Sequence, residues 1–405
     1  MSYKYYLSVT SQLPFCSTPL RLDSYNACQF GCVYCFAKSR GGNFPNTKLK
    51  MANPDSLRAR LERVSRGEIN SALDYFLMNR IPIQFGGMTD PFSEWELEHR
   101  ISLYLLEILK KFDYPTIIST KGSIFGMTEY VDVLQRGNFY IRVSFTGAEP
   151  QLAQRLEAGV GDLACRLSAI EALASVGVPI SARLQPLIPG HEESAERLML
   201  QAARVGVRHV SVEYLKLPME RVTTQAKILD RELPNIREYF KLHSATRNGR
   251  EFILPAEEKI SGHDYLCEVA RSHDIHYGHA DNEFLLRNEF LSCCNGADLF
   301  LREASFFDTN LLGILRRSKW LKDMRFIVEE NRLSEYSLDN YLNSRSRSNL
   351  GPAASGSDRW LDFLKKKWNA PSWRGGPTSF WKVMDTGKLD DNGNKIYSYE
   401  DGPSS

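Results

Sequence analysis

The sequence predicts an α/β protein with a parallel sheet, either open or closed into a barrel, and an extension after it. Two observations predict this class. Compact apolar runs suited to buried parallel strands alternate with segments of helical periodicity about six times between residues 20 and 245. Past Pro255 the alternation changes. Such alternation favours a parallel sheet with right-handed crossovers, and a barrel would place its active site where the strands end.

The first half of the pattern contains two strands and two helices. Residues 20–27 alternate weakly, and 81–87 form an apolar run that ends in paired glycines, so both are predicted strands. Asn53 as N-cap and Pro54 in the first turn predict a helix to about residue 65. An apolar repeat predicts a second helix over 94–111.

The second half repeats the alternation. Its predicted strands are 116–120, 138–145, 178–184 and 209–214. Its predicted helices are 128–135, 162–176 and 194–205. Beyond Pro255, a helix is predicted over 263–272, a last strand over 275–279 and a hairpin turn over 390–394. Glycine, proline and asparagine predict a loop over 41–46.

The domain prediction follows from these changes of pattern. Residues 1–19 form an N-terminal segment, 20–250 the barrel, 251–342 a C-terminal extension, and 343–405 a linker with a basic and aromatic tail. The linker is predicted over 343–357, which is rich in serine, arginine, glycine and alanine.

Composition excludes several classes of protein. A charged fraction of 25% and a net charge of +2 give no global electrostatic sign of a nucleic-acid or membrane partner. No apolar stretch is long enough for a membrane span, and the first residues lack a secretion signal. Eight cysteines in such a chain indicate metal or redox chemistry in the cytoplasm rather than a disulfide framework.

Three of these cysteines, Cys28, Cys32 and Cys35, are spaced CxxxCxxC directly after the first predicted strand. Three thiolates can hold a [4Fe-4S] cluster and leave its fourth iron open to another ligand. A structural zinc site needs a fourth ligand, and neither Cys16 nor His99 has the required spacing. Three cysteines also cannot all pair among themselves as disulfides.

This motif, with Tyr34 before the last cysteine, resembles the signature of the radical S-adenosylmethionine (radical SAM) superfamily. Other stretches resemble its spore photoproduct lyase and DNA repair photolyase-like branch: GGMTDPF at 86–92, STK at 119–121, VSF at 143–145 and ARLQPLIPG at 182–190. The resemblance narrows the fold to a partial (β/α)6-type radical SAM barrel.

The resemblance also implies an activity. The open iron would bind the amino and carboxylate groups of SAM, and reduction would cleave SAM to a 5′-deoxyadenosyl radical that abstracts hydrogen from a substrate. It implies an electron donor such as flavodoxin or ferredoxin and a nucleic acid substrate for repair or modification. No membrane partner is expected, since the sequence has no long apolar stretch. Radical modification of a peptide or small molecule is the alternative, and a non-catalytic, metal-stabilised nucleic-acid-binding protein is another.

By resemblance, SAM binding falls on residues at the strand ends. Gly86 and Gly87 would offer a backbone edge to the amino group, and Lys121 would pair with the carboxylate. The remaining predicted contacts are Tyr34, Thr89, Asp90, Ser144 and Arg183.

Plainer roles stay open for several of these residues. Lys121 could be solvated and Ser144 an ordinary strand serine. Arg183 could form a structural salt bridge rather than clamp an anion. For Asp90, capping of a helix that begins near Ser93 is the favoured role.

The remaining cysteines and the tail carry the last predictions. Cys267, Cys293 and Cys294 could donate hydrogen atoms, or ligate a second iron-sulfur cluster with His263 or His279, or be ordinary thiols; Cys165 is predicted to be buried. The tail places Trp360, Trp368, Trp373 and Trp381 among basic residues that include Arg345 and Arg347. This composition suits nucleic acid, but a helix that docks its tryptophans is favoured.

Overall fold

The computed structural model describes residues 3–4, 6–10, 12–35, 37, 48–328 and 359–400. The predicted loop over 41–46, the linker over 343–357, and Arg345 and Arg347 lie outside these residues.

The chain alternates strands and helices as far as residue 214. The strands are β1 (Leu7–Val9), β2 (Leu20–Leu22), β3 (Ile83–Phe85), β4 (Thr116–Thr120), β5 (Phe139–Gly147), β6 (Ile180–Leu187), β7 (His209–Tyr214), β8 (Leu217–Pro218), β9 (Thr246–Asn248), β10 (Glu251–Ile253), β11 (His276–His279), β12 (Val383–Leu389) and β13 (Lys395–Tyr399). The helices are α1 (Pro54–Ser65), α2 (Ala72–Met78), α3 (Trp95–His99), α4 (Ile101–Lys111), α5 (Thr128–Leu134), α6 (Pro150–Leu156), α7 (Leu163–Ser175), α8 (Glu192–Arg204), α9 (Thr224–Glu232), α10 (Ile236–Leu242), α11 (Ile260–Ser272), α12 (Ala297–Phe300), α13 (Leu311–Ser318) and α14 (Arg359–Trp368).

The main sheet has eight strands in the order β1-β2-β3-β4-β5-β6-β7-β11. Strands β2 to β7 and β11 run parallel, and β1 pairs antiparallel with β2 at one edge. The two edge strands do not pair with each other among the described residues, so the sheet is an open, partial barrel. The predicted fold class is confirmed, and β11 shows that the sheet continues past residue 250.

Most predicted elements are found, with some shorter than expected. Strands β4 and β7 coincide with their predicted ranges, and α1 begins after the Asn53 cap, whose side chain accepts the Asp55 N–H at 3.0 Å. The first strand was predicted to residue 27 but ends at Leu22, because Asp23 turns its side chain to the segment after β3.

The single helix predicted over 94–111 is wrong. Arg100 is left-handed (φ 54°) and separates α3 from α4. The buried Glu96 carboxylate accepts the backbone N–H groups of Ser102 and Leu103, both at 2.9 Å, and so satisfies donors that open the second helix. An apolar repeat can continue through such a break.

The prediction of a buried Cys165 is also wrong. Cys165 is exposed on α7, whose inward side carries Arg166, Ala169, Ile170 and Leu173. The buried positions therefore begin one residue later than the periodicity indicated.

The tail docks on the rest of the molecule as favoured from the sequence. Trp360 and Trp368 are fully buried, and their indole N–H groups donate to the carbonyl oxygens of Thr309 and Lys395, each at 2.8 Å. Trp373 is 74% exposed, whereas Trp381 is partly buried. Asp390 and Asn394 close the predicted turn between β12 and β13. In the part of the chain that the structure describes, no helix has the length and apolar character to cross a membrane.

Candidate active site

A cavity of about 340 Å³ lies among the carboxyl ends of the parallel strands. This is where a barrel of this type places its active site. Predicted site residues that line the cavity are Cys28, Cys32, Tyr34, Cys35, Gly86, Gly87, Thr89, Asp90, Lys121, Ser144, Arg183, Cys293 and Cys294. Cys267 does not line it.

The cysteine loop follows β2 and is held in place by backbone contacts. The Val33 N–H donates to the Leu156 carbonyl at 3.0 Å, and Gly31 supplies the left-handed turn (φ 63°). Burial raises the pKa of the Cys28 thiol to about 12, although backbone N–H groups of Phe30 and Asp90 oppose that rise. Burial, followed by the charge of Glu157, raises the pKa of Cys32 as well.

The donor set fits an iron-sulfur cluster better than a single ion. No three histidine, cysteine or acidic side chains among the described residues converge on one metal position. The thiols of Cys28, Cys32 and Cys35 nevertheless lie close enough for Cys28 and Cys35 each to raise the pKa of Cys32. A cubane binds each thiolate at a different iron, so its three ligands need not converge on one point.

Glu157 organises the wall beside the loop. Its carboxylate is 2% exposed, accepts the hydroxyl groups of Tyr34 and Thr146, and forms an ion pair with Lys121 Nζ at 2.6 Å. Burial acts to raise its pKa, but the charges of Lys121 and Arg166 outweigh burial, so the pKa of Glu157 is lowered. No sequence pattern singled out Glu157, because it follows α6 and meets its partners only in the fold.

The solvated role considered for Lys121 is wrong. Its side chain is 14% exposed, and besides Glu157 it contacts the Gln185 carbonyl at 3.3 Å and lies over the Tyr34 ring at 5.7 Å. The ammonium group thus already has a carboxylate partner within the chain. Its predicted role toward SAM stays a prediction.

The turn after β3 owes its shape to close packing and to Asp23. A side chain on Gly86 (φ 86°) would collide with the Ser119 carbonyl, and one on Gly87 would press against Arg21 at 2.9 Å. The buried Asp23 carboxylate accepts the N–H groups of Met88 at 2.8 Å and Thr89 at 3.0 Å. The glycines are thus required by neighbouring strands, whether or not a ligand approaches. No pattern in the sequence pointed to Asp23.

Asp90 does not cap a helix, contrary to the favoured prediction. Its carboxylate accepts the Phe92 N–H at 2.9 Å, the Thr120 hydroxyl at 2.7 Å and the Lys121 N–H at 2.7 Å. It therefore ties the end of β3 to the end of β4. Burial raises the pKa of Asp90 to about 6, although these hydrogen bonds act to lower it.

Ser144 and Arg183 lie on neighbouring strands, paired in register. Ser144 borders the cavity, as strand alternation predicted. Arg183 forms an ion pair with Glu213 at 2.9 Å and also borders the cavity. The predicted salt bridge is therefore present, and a ligand contact would be additional to it.

The C-terminal cysteines separate into two places. Cys293 and Cys294 border the cavity, and the buried Cys293 thiol lies 2.9 Å from the Ser17 hydroxyl. Cys267 lies on α11 and does not line the cavity; burial raises the pKa of its thiol, and the charges of Arg271 and Arg287 oppose that rise. The described residues therefore do not bring together a set of side chains that could ligate the predicted second cluster.

Comparison with known proteins agrees with this geometry. Residues 22–202 match the model of the radical SAM superfamily. The match includes the cysteine loop and strands β3 to β6. The resemblance stated from the motifs is confirmed.

Three structures of spore photoproduct lyase are similar in fold. The first, complexed with dinucleoside spore photoproduct, has a TM-score of 0.52 at 15% identity and covers 69% of this chain and 80% of its own. A mutant has a TM-score of 0.51 at 16% identity, with the same coverage of both chains. A mutant with bound AdoMet and dinucleoside spore photoproduct has a TM-score of 0.50 at 16% identity and covers 68% of this chain and 80% of its own. No protein of curated function matches the sequence.

Proposed function

We propose that this chain is a radical SAM enzyme that holds a [4Fe-4S] cluster on Cys28, Cys32 and Cys35 and binds SAM in the adjoining cavity. The observation that carries the proposal is that the three thiols and the motif residues of four successive strands line one cavity. When bound, the cluster supplies the electron that cleaves SAM reductively, and the resulting radical removes hydrogen from a substrate.

The protein's own residues hold the site in shape. Asp23 and Asp90 fix the turn after β3, so that Gly86 and Gly87 present their backbone to the cavity. Glu157 fixes the Tyr34 hydroxyl and holds Lys121 near the loop. Lys121 and Ser144 are proposed to contact the carboxylate or ribose of SAM. Thr89 is proposed to act through the turn after β3, in which it lies.

The thiols at the other wall are proposed to donate hydrogen to a substrate radical. Cys294 and Cys293 are adjacent, and both border the cavity. Cys267 is not part of this proposal, because it lies outside the cavity. A Cys294→Ala variant tests the role: it should still form 5′-deoxyadenosine, but with less product per SAM cleaved.

Nucleic acid is the first proposed substrate class, with repair or modification as the outcome. The support is the motif resemblance and the similar fold of spore photoproduct lyase. Radical modification of a peptide or small molecule remains the second candidate, favoured by the cavity volume of about 340 Å³, which is in the range of small-molecule sites. A flavodoxin or ferredoxin is the proposed electron donor, and the eight free thiols suit a reducing cytoplasm.

The activity is tested by anaerobic reconstitution with iron and sulfide, followed by SAM and a chemical reductant. Wild-type protein should release 5′-deoxyadenosine, and Cys32→Ala should release none. Cys165→Ala is the matched control, because this thiol is exposed and does not line the cavity, and it should behave as wild type. Fully loaded protein that forms no 5′-deoxyadenosine would refute the proposal. Damaged DNA, RNA and peptides can then be screened for consumption.

A further inference from the structure

A buried arginine that the proposed function does not use lies in the wall of the cavity. Arg142 is on β5, two residues before Ser144 and thus on the same side of the strand, and it is 5% exposed. Its Nε and Nη2 atoms donate to the Ser119 hydroxyl at 3.2 and 2.8 Å, and Nη2 also contacts the Gln84 side-chain oxygen at 3.3 Å. All of these acceptors are uncharged.

No carboxylate pairs with Arg142 anywhere in the described ranges. Glu213, on the neighbouring wall, is already engaged by Arg183 at 2.9 Å and by Lys216. Glu213 therefore already has two cationic partners of its own. A buried cation is costly unless an anion compensates it, so the guanidinium group of Arg142 is a physical cost to the folded protein.

Neighbouring charges add to that cost. Burial lowers the pKa of Arg142, and repulsion from the Arg183 guanidinium lowers it further. The Nη1 atom makes no hydrogen bond within the described residues, although Arg142 borders the cavity. A guanidinium group has five donors in a planar fork, which suits two-point contact with a carboxylate or phosphate.

We propose that Arg142, with Arg183 beside it, binds an anionic group of the substrate, either a carboxylate or a phosphate. This inference rests on the proposed function, since it takes the cavity as the place of reaction. The same cavity reaches from the cysteine loop to Arg142, and Cys294 lies near enough to influence the arginine's charge. The substrate is accordingly an organic anion whose charged end is held on the β5 wall.

The test measures anion binding by isothermal titration calorimetry, without SAM and at fixed ionic strength. Inorganic phosphate and acetate are titrated separately, with chloride as the balancing salt. Wild-type protein should bind at least one of them, and the stronger one identifies the group. Arg142→Gln should weaken that binding at least about tenfold, the loss expected for one charge-assisted contact. Arg208→Gln, at an exposed arginine that does not line the cavity, should bind as wild type.

The titration is then repeated with SAM added. Three outcomes would overturn the proposal: wild-type protein that binds neither anion, equal binding by Arg142→Gln and wild type, or displacement of the anion by the added SAM. The last would assign Arg142 to SAM instead of the substrate. A wild-type protein that binds neither anion refutes the proposal by itself, so the test still works if Arg142→Gln folds poorly. The measurement needs no SAM cleavage, so its failure is distinct from failure to form 5′-deoxyadenosine.

Discussion

At the scale of single residues, the site depends on buried charges that compensate each other. Glu157 is nearly inaccessible yet ionised, because Lys121 and two hydroxyl groups surround it. Removing one member of such a pair leaves the other charge buried without compensation, which costs more than the pair contributes. The carboxylate also fixes Tyr34, the residue next to Cys35.

Glu157→Gln should therefore lower the free energy of unfolding by about 3 kcal/mol, the range for breaking a buried ion pair. Chemical denaturation measures the change. Glu149→Gln is the control, because Glu149 pairs with Arg197 at the surface, where its side chain is 50% exposed, and should change stability little. Equal losses in the two variants would contradict the account.

A buried histidine should make the protein sensitive to acid. Burial, then the charge of Arg142, lowers the pKa of His209 to about 3, whereas an unfolded histidine has a pKa of about 6.5. Between these values unfolding takes up a proton, so stability falls as the pH falls, by about 1.4 kcal/mol per pH unit.

His209→Gln should remove that contribution. Its unfolding free energy, measured by denaturation at pH 6.5 and pH 5, should decline less than that of wild type, while the exposed His273→Gln serves as control. An unchanged decline in His209→Gln would show that His209 is not held neutral in the fold.

Residues whose chemistry is local could be predicted from sequence, and those that act across the fold could not. Cys28, Cys32 and Cys35 lie within eight positions of each other, so their spacing alone indicated shared chemistry. Asp23 meets Met88 and Thr89 more than 60 positions away, and Arg142 meets Ser119 on the neighbouring strand. Such contacts leave no periodic signal.

At the scale of elements, the turn after β3 shows how packing fixes a glycine. Gly86 and Gly190 have nearly equal φ angles, 86° and 82°, but of the two only Gly86 is crowded: nothing lies within 4 Å of a Cβ atom added at Gly190. The comparison separates the cost of a left-handed backbone from the cost of a collision.

Gly190→Ala should cost about 1 kcal/mol for its left-handed backbone. Gly86→Ala should cost about 2 kcal/mol more, because the added carbon must displace the Ser119 carbonyl or Pro91. Thermal or chemical unfolding of the two variants measures the difference. Equal costs would mean that the turn and β4 are not packed as described.

Helices and strands could be predicted from the sequence where both faces of a strand are buried. They could not be predicted where a side-chain contact interrupts a periodic apolar pattern. Strand β4 was predicted residue for residue because its buried, β-branched run has no competitor. The break between α3 and α4 was missed because Glu96, spaced like any helical acid, turns inward to cap α4.

For the whole molecule, the C-terminal segment belongs to the stable core. The Trp360 ring lies against Phe307 at 6.4 Å between ring centroids, and the Trp368 ring lies against Phe326 at 5.8 Å, so both tryptophans pack on residues that precede the tail. The sequence could not show which tryptophans dock, since burial depends on the partner surface.

Trp368→Ala should lower the unfolding free energy by about 3–5 kcal/mol, as large-to-small changes do at buried aromatic sites. Trp373→Ala is the matched control and should have little effect, because that ring is 74% exposed. A small effect of Trp368→Ala would indicate that the tail is not part of the folded unit.

The measurement that tests the central claim most directly is electron paramagnetic resonance of the reduced protein with and without SAM. The account predicts about four irons per chain, a signal from the one-electron-reduced cluster, and a shift of that signal when SAM occupies the open iron. Cys32→Ala should give no such signal. A cluster signal that SAM leaves unchanged, or a colourless protein with one zinc, would contradict it.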